Sequence, residues 1–213
     1  MKNYKEILEA VKEEVKKKLE SEPSGHDYWH CYRVVKNAMT IGEREEADLQ
    51  IVELAGWLHD IGIDAGKKGH AVKGAQEARK ILGKLKVSEN DIKKICDCIE
   101  KHSFYKGKKP ESKEGQILQD ADKLEALGAI GLIRLFVVAG HYGEKIFDPN
   151  IQPNYECYLK YGKSSSAINH FYDKIFKLKG LMHTKTARKI ADVREKYMKE
   201  FLKRFYKEWE GKK

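Results

Sequence analysis

The chain has 213 residues, 41% of them hydrophobic and 10% aromatic, with 42 Lys+Arg against 33 Asp+Glu and a formal net charge of +9. That length and apolar fraction suffice for a sizeable core, and they exclude a disordered chain, a collagen-like fibre and a short disulfide scaffold. The longest uncharged apolar stretch, Ala126 to Ile133, ends at Arg134 and falls well short of the ~18 residues of a membrane span.

Tyr4, Ile7, Leu8, Val11, Val15 and Leu19 recur in steps of three and four, which predicts an amphipathic helix ended by the breaker Ser21-Glu22-Pro23-Ser24-Gly25. A second helix is expected from near His26 through Trp29, Val34, Val35 and Met39 to Gly42, and a third after Asp48, through Ile51, Leu54 and Leu58 to about Gly62. Beyond the Gly66-Lys67-Lys68-Gly69 loop, Ala75, Ala78, Ile81 and Leu82 predict a short helix capped by Gly83. Ser88-Glu89-Asn90-Asp91 then opens a helix that runs to about His102. A sixth helix starts with Ile117 and Leu118 and is expected to continue through Gly128-Ala129-Ile130-Gly131 to Val138. Residues 140–162 read as a long loop, Ser164 as the cap of a helix through Ile175, and Thr184 or Thr186 as the start of the last helix. No run alternates with period two. The expectation is an all-α, single-domain helical bundle over 1–213, with a motif region at about 26–125 on which C-terminal helices at 164–210 pack.

The N-terminal Met1-Lys2-Asn3-Tyr4-Lys5-Glu6 shows no export signal, and Cys31, Cys96, Cys98 and Cys157 form no C-x-x-C pair, so a cytoplasmic protein with reduced thiols is expected. Residues 174–213 hold 14 Lys+Arg and 5 Asp+Glu, which accounts for the whole charge excess. Because that segment also carries Ile190, Tyr197, Met198, Phe201, Leu202, Phe205 and Trp209 near helical spacing, its charges read as a solvated helix face rather than a nucleic-acid patch.

Histidines and carboxylates fall where the pattern is apolar. His30 is expected mid-helix, and His59-Asp60 closes the string Leu54-Ala55-Gly56-Trp57-Leu58. Asp120 and Asp122 sit within Ile117-Leu118-Gln119-Asp120-Ala121-Asp122-Lys123-Leu124. A carboxylate buried in such a setting is costly unless paired or bound to a metal, and two imidazoles with two carboxylates suit a borderline or hard divalent ion.

The three strings His30-x-x-Arg33-Val34, His59-Asp60-Ile61-Gly62 and Ala121-Asp122-Lys123-Leu124 closely resemble the H…HD…D signature of the HD-domain metal-dependent phosphohydrolases, an all-helical superfamily. His26-Asp27-Tyr28-Trp29-His30, Gly115 to Asp122 and Ser165 to Tyr172 further resemble its small single-domain branch of nucleotide phosphohydrolases, over about residues 5–210. The resemblance implies His30, His59, Asp60 and Asp122 as ligands of a divalent ion: manganese first, with nickel, iron, magnesium or zinc as the other candidates. Asp120 is then a structural partner on a different helix face. His26 and His102 are implied near the pocket, holding a second metal or touching substrate phosphate. Either Asp60 or Asp122 orients the attacking water, and Lys123, Asp64 and Arg33 are candidate substrate contacts. The basic loops Lys67-Lys68-Gly69-His70 and Lys106-Gly107-Lys108-Lys109 are candidate sites for further phosphates.

The residues after His-Asp are Ile-Gly-Ile-Asp, and the chain has no Gly-Tyr-Pro string, so it departs from the cyclic-di-GMP-cleaving group. The implied function is hydrolysis of a small nucleotide or related phosphate compound, including pyrophosphate release from (deoxy)nucleoside triphosphates. The alternative is a nucleic-acid-binding or nucleotide-sensing module with a structural metal. Neither a membrane nor an oligomeric state is implied.

Overall fold

The computed structural model describes residues 3–23, 25–66, 69–103 and 109–213, and among them there is no strand. The lysines at 67, 68, 106 and 108, singled out above in basic loops, lie outside the described residues. Among the described residues no single helix is long and apolar enough to cross a membrane. The chain divides into two compact units, residues 1–122 and 123–213.

The first unit is built around α3 (Leu49–Leu58), whose residues from Ile51 to Leu58 are buried apart from Glu53. A helix apolar on nearly all sides must be surrounded. It packs against α1 (Tyr4–Leu19), α2 (Tyr28–Arg44) and α5 (Glu89–Lys101), while α4 (His70–Lys84) pairs with α5. Each neighbour contributes one stripe: Val11, Val15 and Leu19 from α1, Val34, Ala38 and Ile41 from α2, Ile95 and Ile99 from α5. Side-chain caps start the helices where the sequence offers them. Asp27 accepts from the His30 amide, Asp48 from Gln50 and Ile51, and Ser88 from Asp91. The sixth helix, α6 (Lys113–Leu124), buries Ile117, Leu118 and Ala121.

A 3₁₀ turn, Ile63–Ala65, leads from α3 toward α4. A Cβ on Gly62 would stand 2.4 Å from the Gly74 nitrogen and 2.5 Å from the His70 oxygen, so only glycine lets the first turn of α4 approach this closely.

The second unit holds α7 (Gly128–His141), α8 (Tyr155–Tyr161), α9 (Ala167–Asp173), a 3₁₀ segment Ile175–Leu181 and α10 (Lys185–Trp209). α10 packs on α7 and on the 3₁₀ segment through Ala187, Ala191, Met198 and Leu202. Phe171, stacked at 6.3 Å on Phe201, fills the centre with Ile168 and Leu178.

Several boundaries differ from the sequence reading. Asp27, not His26, marks the start of α2, because its carboxylate takes the cap position and leaves His26 ahead of the helix. α4 opens at His70 and keeps Gly83 inside its last turn; the positive φ falls on Lys86 instead. The expected long sixth helix is two: α6 ends at Leu124, and α7 begins at Gly128, whose φ of 77° is closed to a right-handed helix. The 140–162 loop contains α8, capped by Asn154, and Ser166 rather than Ser164 caps α9. On α10, Tyr197 and Trp209 are exposed rather than part of the buried stripe.

Candidate metal centre

Three helices of the first unit deliver histidines to one place. His30 lies in the first turn of α2, with its amide hydrogen-bonded at 2.7 Å to the Asp27 carboxylate. His59 follows the last residue of α3, and its Nδ1–H donates to the Gly56 carbonyl at 2.8 Å. His102 repeats this arrangement after α5, with Nδ1–H donating to the Ile99 carbonyl at 2.6 Å. Both bonds fix a proton on Nδ1 and aim Nε2 inward, the atom through which such an imidazole would bind a metal. Helix C-termini also carry partial negative charge, so α3 and α5 both favour a cation where they end.

The imidazoles form a chain. Ring centroids are 5.1 Å apart for His26 and His30, 5.2 Å for His30 and His59, 5.1 Å for His59 and His102, and 5.0 Å for His102 and His70. Asp60, buried, lies at the middle. Its Oδ2 is 2.7 Å from His26 Nδ1, 3.2 Å from His59 Nε2 and 3.4 Å from His30 Nε2. Its Oδ1 is 3.5 Å from His102 Nε2 and 3.8 Å from His70 Nε2. Asp122, in the last turn of α6, brings Oδ1 to 3.4 Å from His30 Nε2.

Burial alone would push the Asp60 carboxyl up, but the charges of His59 and His26 and the hydrogen bonds of His102 and His26 outweigh it and hold the group ionised, well below the carboxylate range. Asp122 is likewise held low, with burial and Asp60 opposing and the His30 hydrogen bond and charge prevailing. For His102, desolvation works against the charged form, and the hydrogen bond and charge of Asp60 raise its pKa nonetheless.

Donor spacing tests whether an ion fits. Ligands about 2.1 Å from a common centre stand about 3.0 Å apart on an octahedral edge and about 3.4 Å apart on a tetrahedral edge. His30 Nε2 is 3.3 Å from His59 Nε2, and the edges from these two to Asp60 and from His30 to Asp122 are 3.2–3.4 Å. The His30–His59–Asp60 triangle therefore has the spacing of ligands on a divalent ion, and Asp122 adjoins it through His30. Overlapping groups of metal-competent donors are His26–His30–Asp60, His30–His59–Asp122 and His59–Asp60–His102. Asp120, fully buried, is in none of them.

The remaining predicted residues are in none of these groups. Lys123 donates its ammonium to the Leu181 carbonyl at 2.7 Å, and Asp64, on the exposed 3₁₀ turn, accepts from Lys73 at 2.6 Å. Arg33 is half-buried one turn after His30 on α2. His70 is the site residue the sequence reading missed, having been taken as the end of a phosphate-binding loop. Its Nε2 lies 3.1 Å from His102 Nε2. The signal available was a histidine opening an amphipathic helix shortly after the His-Asp pair.

The HD-domain family pattern matches residues 28–127, the stretch that supplies every one of these groups except His26. YpgQ of Bacillus subtilis is 35% identical over 215 aligned positions, which cover 99% of this chain and 97% of YpgQ. A crystal structure of an HD-superfamily hydrolase from Bacillus thuringiensis is similar at a TM-score of 0.79 and 36% identity, covering 98% of this chain and 99% of that one. The crystal structure of YpgQ in complex with ADP is similar at 0.78 and 31% identity, covering 96% of both chains. The chain belongs to the HD-domain family, among relatives described as HD-superfamily hydrolases.

Proposed function

We propose that the chain is a metal-dependent phosphohydrolase of nucleotides that releases pyrophosphate from (deoxy)nucleoside triphosphates. The observation that carries this reading is the cluster of His30, His59, Asp60 and Asp122, four of whose six donor–donor edges are 3.2–3.4 Å, the spacing of ligands around a divalent ion, manganese first. The ADP complex of YpgQ supports a nucleotide as the phosphate compound.

A divalent ion held there supplies Lewis-acid polarisation of a phosphoryl oxygen and an acidified water. The chain's own groups do the rest. His59 and His102 are held by their Nδ1–H bonds to backbone carbonyls, so their rings already aim Nε2 inward. Asp122, its side chain 23% exposed, faces the cluster from the solvent side and orients the water. His26, its side chain 36% exposed and 2.7 Å from Asp60, balances charge on the phosphate and exchanges a proton with the leaving oxygen. His70 and His102, on the other oxygen of Asp60, make a second donor set for a second ion. The single HD-type domain of the sequence reading, 1–213, remains the proposed functional unit.

The test is product release from nucleoside tri-, di- and monophosphates with Mn²⁺, Mg²⁺, Ni²⁺ or no added metal, wild type beside Asp60→Ala. Metal-dependent pyrophosphate release that vanishes in a folded Asp60→Ala is the expected result. Phosphate release from monophosphates would make the protein a phosphomonoesterase instead. Tight nucleotide binding without turnover in metal-loaded wild type would make it a sensing module and refute the hydrolase reading.

A further inference from the structure

The first turn of α2 reads Tyr28-Trp29-His30. His30 is buried in the cluster, whereas Trp29, its neighbour, is 60% exposed. Among the described residues of the first unit, the exposed large hydrophobic side chains are Trp29, Tyr32 (39%) and Val72 (47%), and the two aromatic ones lie together beside a proposed metal ligand. Indole burial is among the larger stabilising contributions open to a chain, so an indole left in water at such a place calls for an occupant.

That indole is also held. Tyr28 meets it edge-on at 5.3 Å and 80°, and Tyr32 at 5.8 Å and 78°. Both tyrosines rest in turn on buried Trp57, at 5.3 and 6.3 Å. The result is an exposed aromatic surface braced from below, whose side-chain freedom is already restricted before anything binds. Adjacent side chains on a helix diverge by about 100°, so an indole at 29 and an imidazole at 30 end roughly 10 Å apart. A nucleoside di- or triphosphate bridges such a span from its base to its terminal phosphates.

We propose that Trp29, braced by Tyr28 and Tyr32, is the stacking platform for the base of the nucleotide whose phosphates lie at the His30–Asp60 cluster; this rests on the nucleotide reading of the site. A π-face accepts every base, so the platform confers a preference for nucleotides over base-free polyphosphates without selecting among bases.

The experiment compares a nucleoside triphosphate with inorganic tripolyphosphate, as substrates or as competing inhibitors, in wild type, Trp29→Phe and Trp29→Ala, all loaded with Mn²⁺. It is paired with ADP titration followed by tryptophan fluorescence. In Trp29→Ala, KM for the nucleoside triphosphate rises about 5- to 100-fold with kcat little changed. Tripolyphosphate is unaffected, and Trp29→Phe keeps most of the affinity. The ADP-induced quench disappears in Trp29→Phe although Trp57 and Trp209 remain. Equal effects on both compounds, or none on either, overturn the platform and leave the hydrolase reading standing. Loss of the quench without turnover by wild type supports the platform and removes the hydrolase reading, whereas absence of ADP binding to wild type overturns the platform.

Discussion

Gly62 offers the sharpest test of how the fold sets the spacing of the site. Its φ of −98° and ψ of 14° are open to alanine, so Gly62→Ala carries no conformational penalty and probes contact alone. The new methyl would meet the Gly74 nitrogen at 2.4 Å, the His70 oxygen at 2.5 Å and the Gly74 Cα at 2.9 Å, all of them backbone. No side chain can turn away, so the start of α4 must move by about 1 Å, and overpacking of this kind costs about 3 kcal/mol, near the top of its usual range. The folded-to-unfolded ratio should fall about 150-fold in urea melts. Because the His70 carbonyl is struck directly, binding at the His70–His102 pair should weaken as well. Gly83→Ala, on the same helix with nothing within 4 Å of its Cβ, is the opposite case and should stabilise by about 0.5 kcal/mol through helix propensity. A Gly62→Ala protein as stable as wild type, with metal stoichiometry intact, would refute the close approach of α4 as the device that brings His70 to the site.

Mn²⁺ added to metal-stripped protein should raise its stability by about 2.7 kcal/mol at a hundred times Kd and do nothing for Asp60→Ala; thermal melts against metal concentration decide this. Equilibrium dialysis should find two Mn²⁺ per wild-type chain and one in His70→Ala, and equal stoichiometry in both would remove the second donor set. Asp27→Ala deletes the cap that anchors the His30 amide, so it should cost about 1 kcal/mol of stability and weaken metal binding together. Burial pushes the Cys98 thiol up to about 12, from an ordinary value near 9. Above pH 9 the unfolded chain loses a proton that the folded one keeps, so stability should fall by up to about 1.4 kcal/mol per pH unit until pH 12, and Cys98→Ala should flatten that slope. Below pH 9 this group contributes no pH dependence.

The sequence made α1, α3 and α5 readable because each combines an apolar stripe with an explicit stop or cap: the Ser21 to Gly25 breaker, Asp48, and Ser88. The break between α6 and α7 was hidden because Gly128 lies in a small-residue run that also fits a continuous helix; it takes a positive φ, and a Cβ there would stand 3.0 Å from the Arg194 side chain. α8 was hidden for another reason, since its seven residues bury no side chain and leave no periodicity to read. At the site, the His59-Asp60 pair stood out because burying it needs a chemical reason. His70 did not, because it meets His102 across 32 positions of chain, and such a meeting has no local signature.

Asp60 explains why so many histidines gather on one carboxylate. Its two oxygens face different partners: Oδ2 looks toward His26, His30 and His59, Oδ1 toward His102 and His70. A buried carboxylate is tolerated only with compensating donors or cations, and here the compensation comes from imidazoles. A divalent ion at the site would supply that positive charge in their place. His26 differs from the rest. It binds Asp60 through Nδ1 at 2.7 Å and is the partner with the most exposed side chain, at 36%. An ion that takes up Oδ2 competes with that hydrogen bond, and the half-exposed ring is the one free to yield toward solvent and substrate. On the proposed reading, a divalent ion held by Asp60 Oδ2 would free His26 as it binds, because the two would share the same oxygen.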